Sequence, residues 1–389
     1  MDRIAFIIGE TFIFWSPIIL ALGALVAVFW FLGLYLGRSA NPIGAFMAVP
    51  MAFVLSMIIG RLIHWYCRTD SYVSLEAAMT DYTAGGYALL GVFFACILTA
   101  CILRLIRVVK DLPEMLDCMA LAGAAGISVG RLNSFFNSSD RGDILEGITE
   151  LPIVYPVANS VTGELENRLA TFMLQSLVTA GIFVVLLLFW LFMKRKGKSG
   201  DTALMFALLY GAAQTILDST RYDSLFFRTN GFVSMVQIAG AVGLFLAILV
   251  FSVRLARSRS PWYLLLWVPV LGLLGGAGYM EYYVQRHGDE ALFAYTIMAA
   301  CLIGVILLGI VTYILAVTGE HKKRKLASKQ AEAVEEAPAE AEEIAAEETT
   351  EALVEAAEAL AEEAPAEEAP AEETPAEETE EQAEEVALQ

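Results

Sequence analysis

The apolar runs of this chain constrain it more than any other feature. Stretches such as FIFWSPIILALGALVAVFWFLGLYL and TFMLQSLVTAGIFVVLLLFWLFM reach the ~20 residues needed to cross a ~30 Å hydrocarbon core. They are continuous rather than alternating, which favours membrane helices over a barrel. Nine such segments fall at about 12–36, 41–66, 85–106, 114–130, 171–193, 202–218, 232–253, 261–283 and 294–317. The chain is 57% hydrophobic, against roughly 45–50% apolar for soluble domains. An all-α integral membrane protein with about nine transmembrane helices is the expected fold. The first run lacks a small-residue cleavage site, so it reads as a span and not as a removed signal peptide.

The net charge of −19 averages two regions. Of the 44 acidic side chains, 23 are Glu in residues 331–389, which hold no Lys or Arg; the remaining 21 acids face 25 bases, a net +4. The basic residues Arg38, then Arg104, Arg107 and Lys110, then Lys194–Lys198, then Arg254, Arg257 and Arg259, then Lys322–Lys325 fall at alternate span ends. By the positive-inside rule this places the N-terminus outside and the C-terminus in the cytoplasm. Loops at about 67–84, 131–170, 219–231 and 284–293 are then outside. Beyond residue 330 the chain repeats AEEAPAEEAPAEETPAEETEE, with too few large apolar side chains to offset ordering entropy. A disordered acidic cytoplasmic tail is expected, either a solvated spacer or the binding segment for a cytoplasmic partner. Five cysteines (Cys67, Cys96, Cys101, Cys118 and Cys301) form no CxxC or Cys/His cluster, so no metal or other cofactor is expected, and no nucleic-acid partner.

A charged side chain at mid-membrane costs at least ~2.5–3.5 kcal/mol, so polar residues in spans are functional candidates. Four places qualify. In MIIGRLIHWYCR, Arg61 and His64 share one helix face. In GRLNSFFNSSDRG, residues 130–142, Arg131, Asn137, Asp140 and Arg141 crowd a span end. In LLYGAAQTILDSTRYDSLFFR, Tyr210, Gln214, Asp218 and Arg221 are spaced four, four and three and line one helix face. In TDYTAGGYALLGV, Gly85, Gly86 and Gly91 permit close approach of a helix or a ligand. Arg61 reads equally well as a snorkelling anchor, and the glycines as helix packing. The second and third clusters lie at outer ends of spans. Their convergent arginines suit a phosphate headgroup, which guanidinium binds in a bidentate manner.

These residues resemble the prolipoprotein diacylglyceryl transferase family. Gly130, Arg131, Phe135, Asn137 and Gly142 match that family's Gly-Arg-x-Gly-Asn-Phe-x-Asn-x-Glu-x-x-Gly in register. Tyr210, Gly211, Asp218 and Arg221 match its Tyr-Gly-x-x-Arg-Phe-x-x-Glu-x-x-Arg helix, and GFVSMVQI resembles its Leu-Ser-Met-Gly-Gln-Ile. IIGRLIHWY and GGYALLGV resemble two further segments, Gly-Ala-Arg-x-x-Tyr and Gly-Gly-x-x-x-His-Gly-Gly. The likeness runs through about residue 256. It implies a seven-span transferase-like core over 1–256, two additional helices over 257–320, and a basic flank with the acidic tail over 321–389.

The resemblance implies a reaction in which a diacylglyceryl group passes from phosphatidylglycerol to a cysteine thiol of a lipoprotein signal peptide, in a bacterial plasma membrane. Membrane lipid and signal peptide are then the partners. Arg131, Asn137, Gly142, Arg221, Gln214 and Arg61 fall at headgroup-binding positions. The chain departs from the pattern where the family's His falls on Leu90, its helix Arg on Gln214, and its His-Pro-x-Gln-Leu-Tyr-Glu on residues 169–175, ending at Gln175. A thiol needs a base, and Tyr210, Asp140 and Asp218 are the groups available. The alternative is a non-catalytic paralogue that binds anionic lipid or signal peptide.

Overall fold

The structure, a computed structural model, describes residues 4–38, 41–81, 86–137, 139–144, 154–158, 163–193, 197–228, 230–287 and 291–362. Gly85, Lys194–Lys196 and residues 363–389 lie outside the described residues, as do the expectations that fall on them. A strand pair, β1 (Ile4–Ile8) and β2 (Thr11–Phe14), precedes α1 (Trp15–Arg38) and α2 (Pro42–Cys67). Then come α3 (Leu75–Thr80), α4 (Leu89–Leu105) and α5 (Leu112–Gly130). The strands β3 (Val154–Ala158) and β4 (Leu165–Leu169) form a hairpin before α6 (Thr171–Met193) and α7 (Asp201–Ser219). Strands β5 (Phe226–Phe227) and β6 (Asn230–Ser234) pair before α8 (Met235–Ser258), followed by α9 (Trp267–Arg286) and α10 (Ala291–Glu362).

Among the described residues seven helices are long and apolar enough to cross a membrane, where hydropathy alone leads to about nine. The other two stand where spans are expected. Helix α4 has 17 residues, about 25 Å at 1.5 Å per residue. Helix α7 has 19 residues but carries Asp201, Tyr210, Gln214 and Asp218. All four are buried against neighbouring helices, so protein rather than lipid receives them.

The chain divides into two units, Met1–Lys323 and Arg324–Gln389. In the first, small residues let helices meet at backbone distance. A Cβ on Gly23 of α1 would lie 2.8 Å from the backbone of Gly126 and Gly130 in α5. One on Gly240 of α8 would lie 2.8 Å from the Gly211 carbonyl of α7, and Gly91 of α4 packs on Gly60 of α2. In the second unit the described residues are helical as far as Glu362. The composition that denies this segment a core is rich in Ala and Glu, both strong helix formers.

Candidate functional site

The polar clusters on α5 and α7 meet because the chain returns to the end of α5 twice. Helix α5 ends at Gly130 and a 3-10 turn carries Arg131 and Ser134. The loop then doubles back at Asp140, which adopts a left-handed φ of +56°, a conformation Asp tolerates better than most residues. Asn137 shapes this loop. Its carbonyl oxygen accepts from the Ser139 N–H at 2.9 Å, and its amide donates to Ser16 of α1 at 3.0 Å. Gly142 then bridges to Arg221 in antiparallel fashion, and its N–H donates to Leu169 O at 2.9 Å. No side chain fits there, since a Cβ would meet Leu169 and Thr171 at 2.8 Å and the Thr220 carbonyl at 2.9 Å.

The result is a charge cluster around one carboxylate oxygen. Asp140 Oδ1 receives Arg131 Nη1 at 2.8 Å and Arg221 Nη2 at 2.7 Å. The three side chains are 13%, 11% and 10% exposed. Ser134 donates to the other oxygen at 3.0 Å. Burial by itself would raise the Asp140 carboxyl. The Arg131 and Arg221 guanidiniums, with hydrogen bonds from Arg131 and Ser134, outweigh it and hold the group below the usual carboxylate range. Arg221 also pairs with Asp218 at 3.1 Å and Asp223 at 3.0 Å. Asp218 in turn accepts a short hydrogen bond from Ser234, the N-cap of α8. The buried Tyr210 hydroxyl lies near Arg131, whose Nε has no partner among the described residues.

One turn from Asp218, Gln214 meets Gln175 of α6. Gln175 Nε2 donates to Gln214 Oε1 at 3.3 Å, while Gln175 Oε1 and Gln214 Nε2 are buried without partners among the described residues. Gln175 stands where the resemblance places a Glu and Gln214 where it places an Arg, so two neutral amides meet where the family pattern carries opposite charges. Leu90 is a buried side chain of α4.

Arg61 belongs to a separate structure. It donates to the carbonyls of Ala78 at 2.5 Å, Asp81 at 2.6 Å and Gly86 at 2.8 Å, and packs on the rings of Tyr72 and Tyr87. His64 beside it shares a hydrogen bond with the Tyr72 hydroxyl at 2.8 Å, and its ring lies so close to Gly86, which has a φ of +86°, that no side chain fits there. Arg141, from the same sequence cluster as Arg131, turns away to the carbonyls of Ser134 and Asn137 at 2.8 and 2.7 Å. Asp223 and Ser134 join the site without a strong signal in sequence, whereas Ser234 carries one, the S-x-x-Q pattern of a capping box, and Gln175 stands at a position of the family pattern.

Fold and site together define a polytopic helical membrane protein in which two largely covered arginines converge on a single anionic position. A family model described as prolipoprotein diacylglyceryl transferase matches residues 3–253, and the chain belongs to that family. It is 28% identical over 245 residues to the phosphatidylglycerol–prolipoprotein diacylglyceryl transferase of Finegoldia magna, covering 61% of this chain and 91% of that one. The proteins of the same name from Clostridioides difficile and Clostridium kluyveri are 25% and 28% identical. These matches cover 62% and 67% of this chain and 92% and 99% of theirs. Helices α9 and α10 lie beyond the family match.

Proposed function

We propose that the protein transfers a diacylglyceryl group from phosphatidylglycerol to the cysteine thiol of a lipoprotein signal peptide, at the outer leaflet of a bacterial plasma membrane, with its C-terminus in the cytoplasm. One observation carries the reading: Arg131 and Arg221 point at the same atom, Asp140 Oδ1, from 2.8 and 2.7 Å. That carboxylate oxygen occupies the place a phosphate oxygen would take. An arriving headgroup displaces Asp140 and accepts both guanidiniums. Asn137 and Gly142 hold the loop that lets this happen, and Gln214 lines the deeper end. Arg61 contributes indirectly, by ordering the loop after α2.

In the transfer the thiolate sulfur bonds to the glyceryl carbon as the carbon–oxygen bond to phosphate breaks, and glycerol phosphate leaves with the electron pair. The arginines stabilise the charge gathering on that phosphate. The thiol proton must go to a base. Of the three candidates, Tyr210 and Asp218 stay engaged in the cluster, whereas Asp140, displaced from both guanidiniums by the headgroup, becomes a free carboxylate beside the reacting phosphate and is the acceptor.

A second reading is a paralogue that binds the lipid without chemistry. It is favoured by Leu90 and by the Gln175–Gln214 pair, since neither leucine nor an amide takes up a proton at neutral pH. Purified protein given labelled phosphatidylglycerol and a peptide with a lipoprotein cysteine separates the two. Label transferred to the thiol, and lost in Arg131→Ala and Asp140→Asn, supports the transferase. Arg131-dependent lipid binding without transfer supports the paralogue. No binding at all refutes both.

A further inference from the structure

Helix α7 carries Tyr210, Gln214 and Asp218, and a helix terminus leaves its last carbonyls without partners. At the C-terminal end of α7 these are met by side chains. Thr215 O accepts from Gln237 at 3.2 Å, Leu217 O from Thr220 at 2.9 Å, and Asp218 O from Ser224 at 2.7 Å. The Ser219 carbonyl accepts from the Tyr295 hydroxyl at 3.2 Å. Tyr295 comes from α10, outside the family match.

The other end of α7 is held by the same helix. Tyr313 donates to Asp201 Oδ2 at 3.0 Å. Glu320 binds Arg254 at 3.2 and 3.3 Å and Lys198 at 2.7 Å, and Arg254 makes a short ion pair with Asp201. Between them Gly309 packs so tightly that a Cβ would lie 2.8 Å from Leu208. The spacing is the same on both helices. Asp201 and Ser219 are 18 residues apart, and so are Tyr295 and Tyr313, about 27 Å on either helix at 1.5 Å per residue. The two therefore lie antiparallel in register, fastened at both ends.

We infer that α10 is a splint for α7, and that Tyr295 is a positioning residue for the turn that presents Asp218 and Arg221 to the lipid headgroup. The headgroup part rests on the function proposed above. Removing that one hydroxyl takes the side-chain donor from the Ser219 carbonyl and loosens the turn.

The test uses the full chain in phosphatidylcholine nanodiscs, with and without phosphatidylglycerol, and reads backbone amide exchange and lipid affinity. Tyr295→Phe keeps the ring and should speed exchange at residues 219–222 about three- to tenfold, with phosphatidylglycerol affinity falling by a similar factor. Tyr313→Phe removes the other hydroxyl and should speed exchange at 198–202 alone, leaving lipid affinity unchanged. Unaltered exchange at 219–222 in Tyr295→Phe overturns the inference, as does loosening of both ends by both variants. Local loosening in Tyr295→Phe, in a wild type that binds no phosphatidylglycerol, upholds the splint and removes the headgroup reading.

Discussion

Replacing Asp140 with Asn should make the protein less stable in neutral lipid and more responsive to anionic lipid. Two charge centres about 4 Å apart interact by about 4 kcal/mol at an effective dielectric near 20, and Asp140 makes two such pairs. Their loss is unequal. Arg221 retains Asp218 and Asp223, whereas Arg131 has no second ion pair among the described residues. The cost is therefore mainly that of stranding Arg131, about 3 kcal/mol, at the low end of the range for a buried charge deprived of its partner. In phosphatidylcholine nanodiscs the unfolding free energy of Asp140→Asn should fall by that amount. Phosphatidylglycerol at ten times its Kd should then return about 1.4 kcal/mol. Wild type should gain less, because Asp140 competes with the phosphate for both guanidiniums. A variant as stable as wild type in neutral lipid, or one that gains no more than wild type from phosphatidylglycerol, would refute the idea that Asp140 stands where the phosphate binds.

Further outcomes follow from the same geometry. Because Asp140 is held below the usual carboxylate range, its contribution is complete above the unfolded carboxyl value of about 4 and is lost as pH falls through the folded one. The stability gap between wild type and Asp140→Asn should stay constant from pH 7 to about 5 and close only below about pH 4, as read by unfolding at each pH. Gly142→Ala should cost about 1–3 kcal/mol by overpacking, because its Cβ meets the Thr220 carbonyl at 2.9 Å; phosphatidylglycerol binding should weaken with it. Gln214→Arg alone should destabilise the bundle by placing an unpaired cation beside Gln175, and adding Gln175→Glu should recover most of the loss, a coupling a double-mutant cycle measures. Arg61→Ala should expose the segments 69–81 and 86–88 to protease, since three carbonyls there lose their donor, while the Arg131–Asp140–Arg221 cluster stays intact in lipid-binding assays.

What the sequence determined by itself is what local rules control. Hydropathy located the helices closely: the run at 171–193 is Thr171–Met193, and that at 41–66 is Pro42–Cys67. Helical period put Tyr210, Gln214 and Asp218 on one face, and a buried stripe of polar residues in a membrane pointed to a site. These follow from the 1.5 Å rise and 3.6-residue turn, which need no knowledge of neighbours. The tertiary structure decided what each polar group faces. Arg131 and Arg221 are ninety residues apart, and only the left-handed turn at Asp140 and the Gly142 bridge bring them to one oxygen. Arg61 and Arg131 look alike in sequence, each following a glycine at a span end, yet one is consumed by loop carbonyls and the other meets a carboxylate. Gln175 pairs with Gln214 across two helices, and Tyr295 caps a helix 76 residues before it. Such contacts depend on how helices pack and which glycines let them close, and that is set by the whole chain at once.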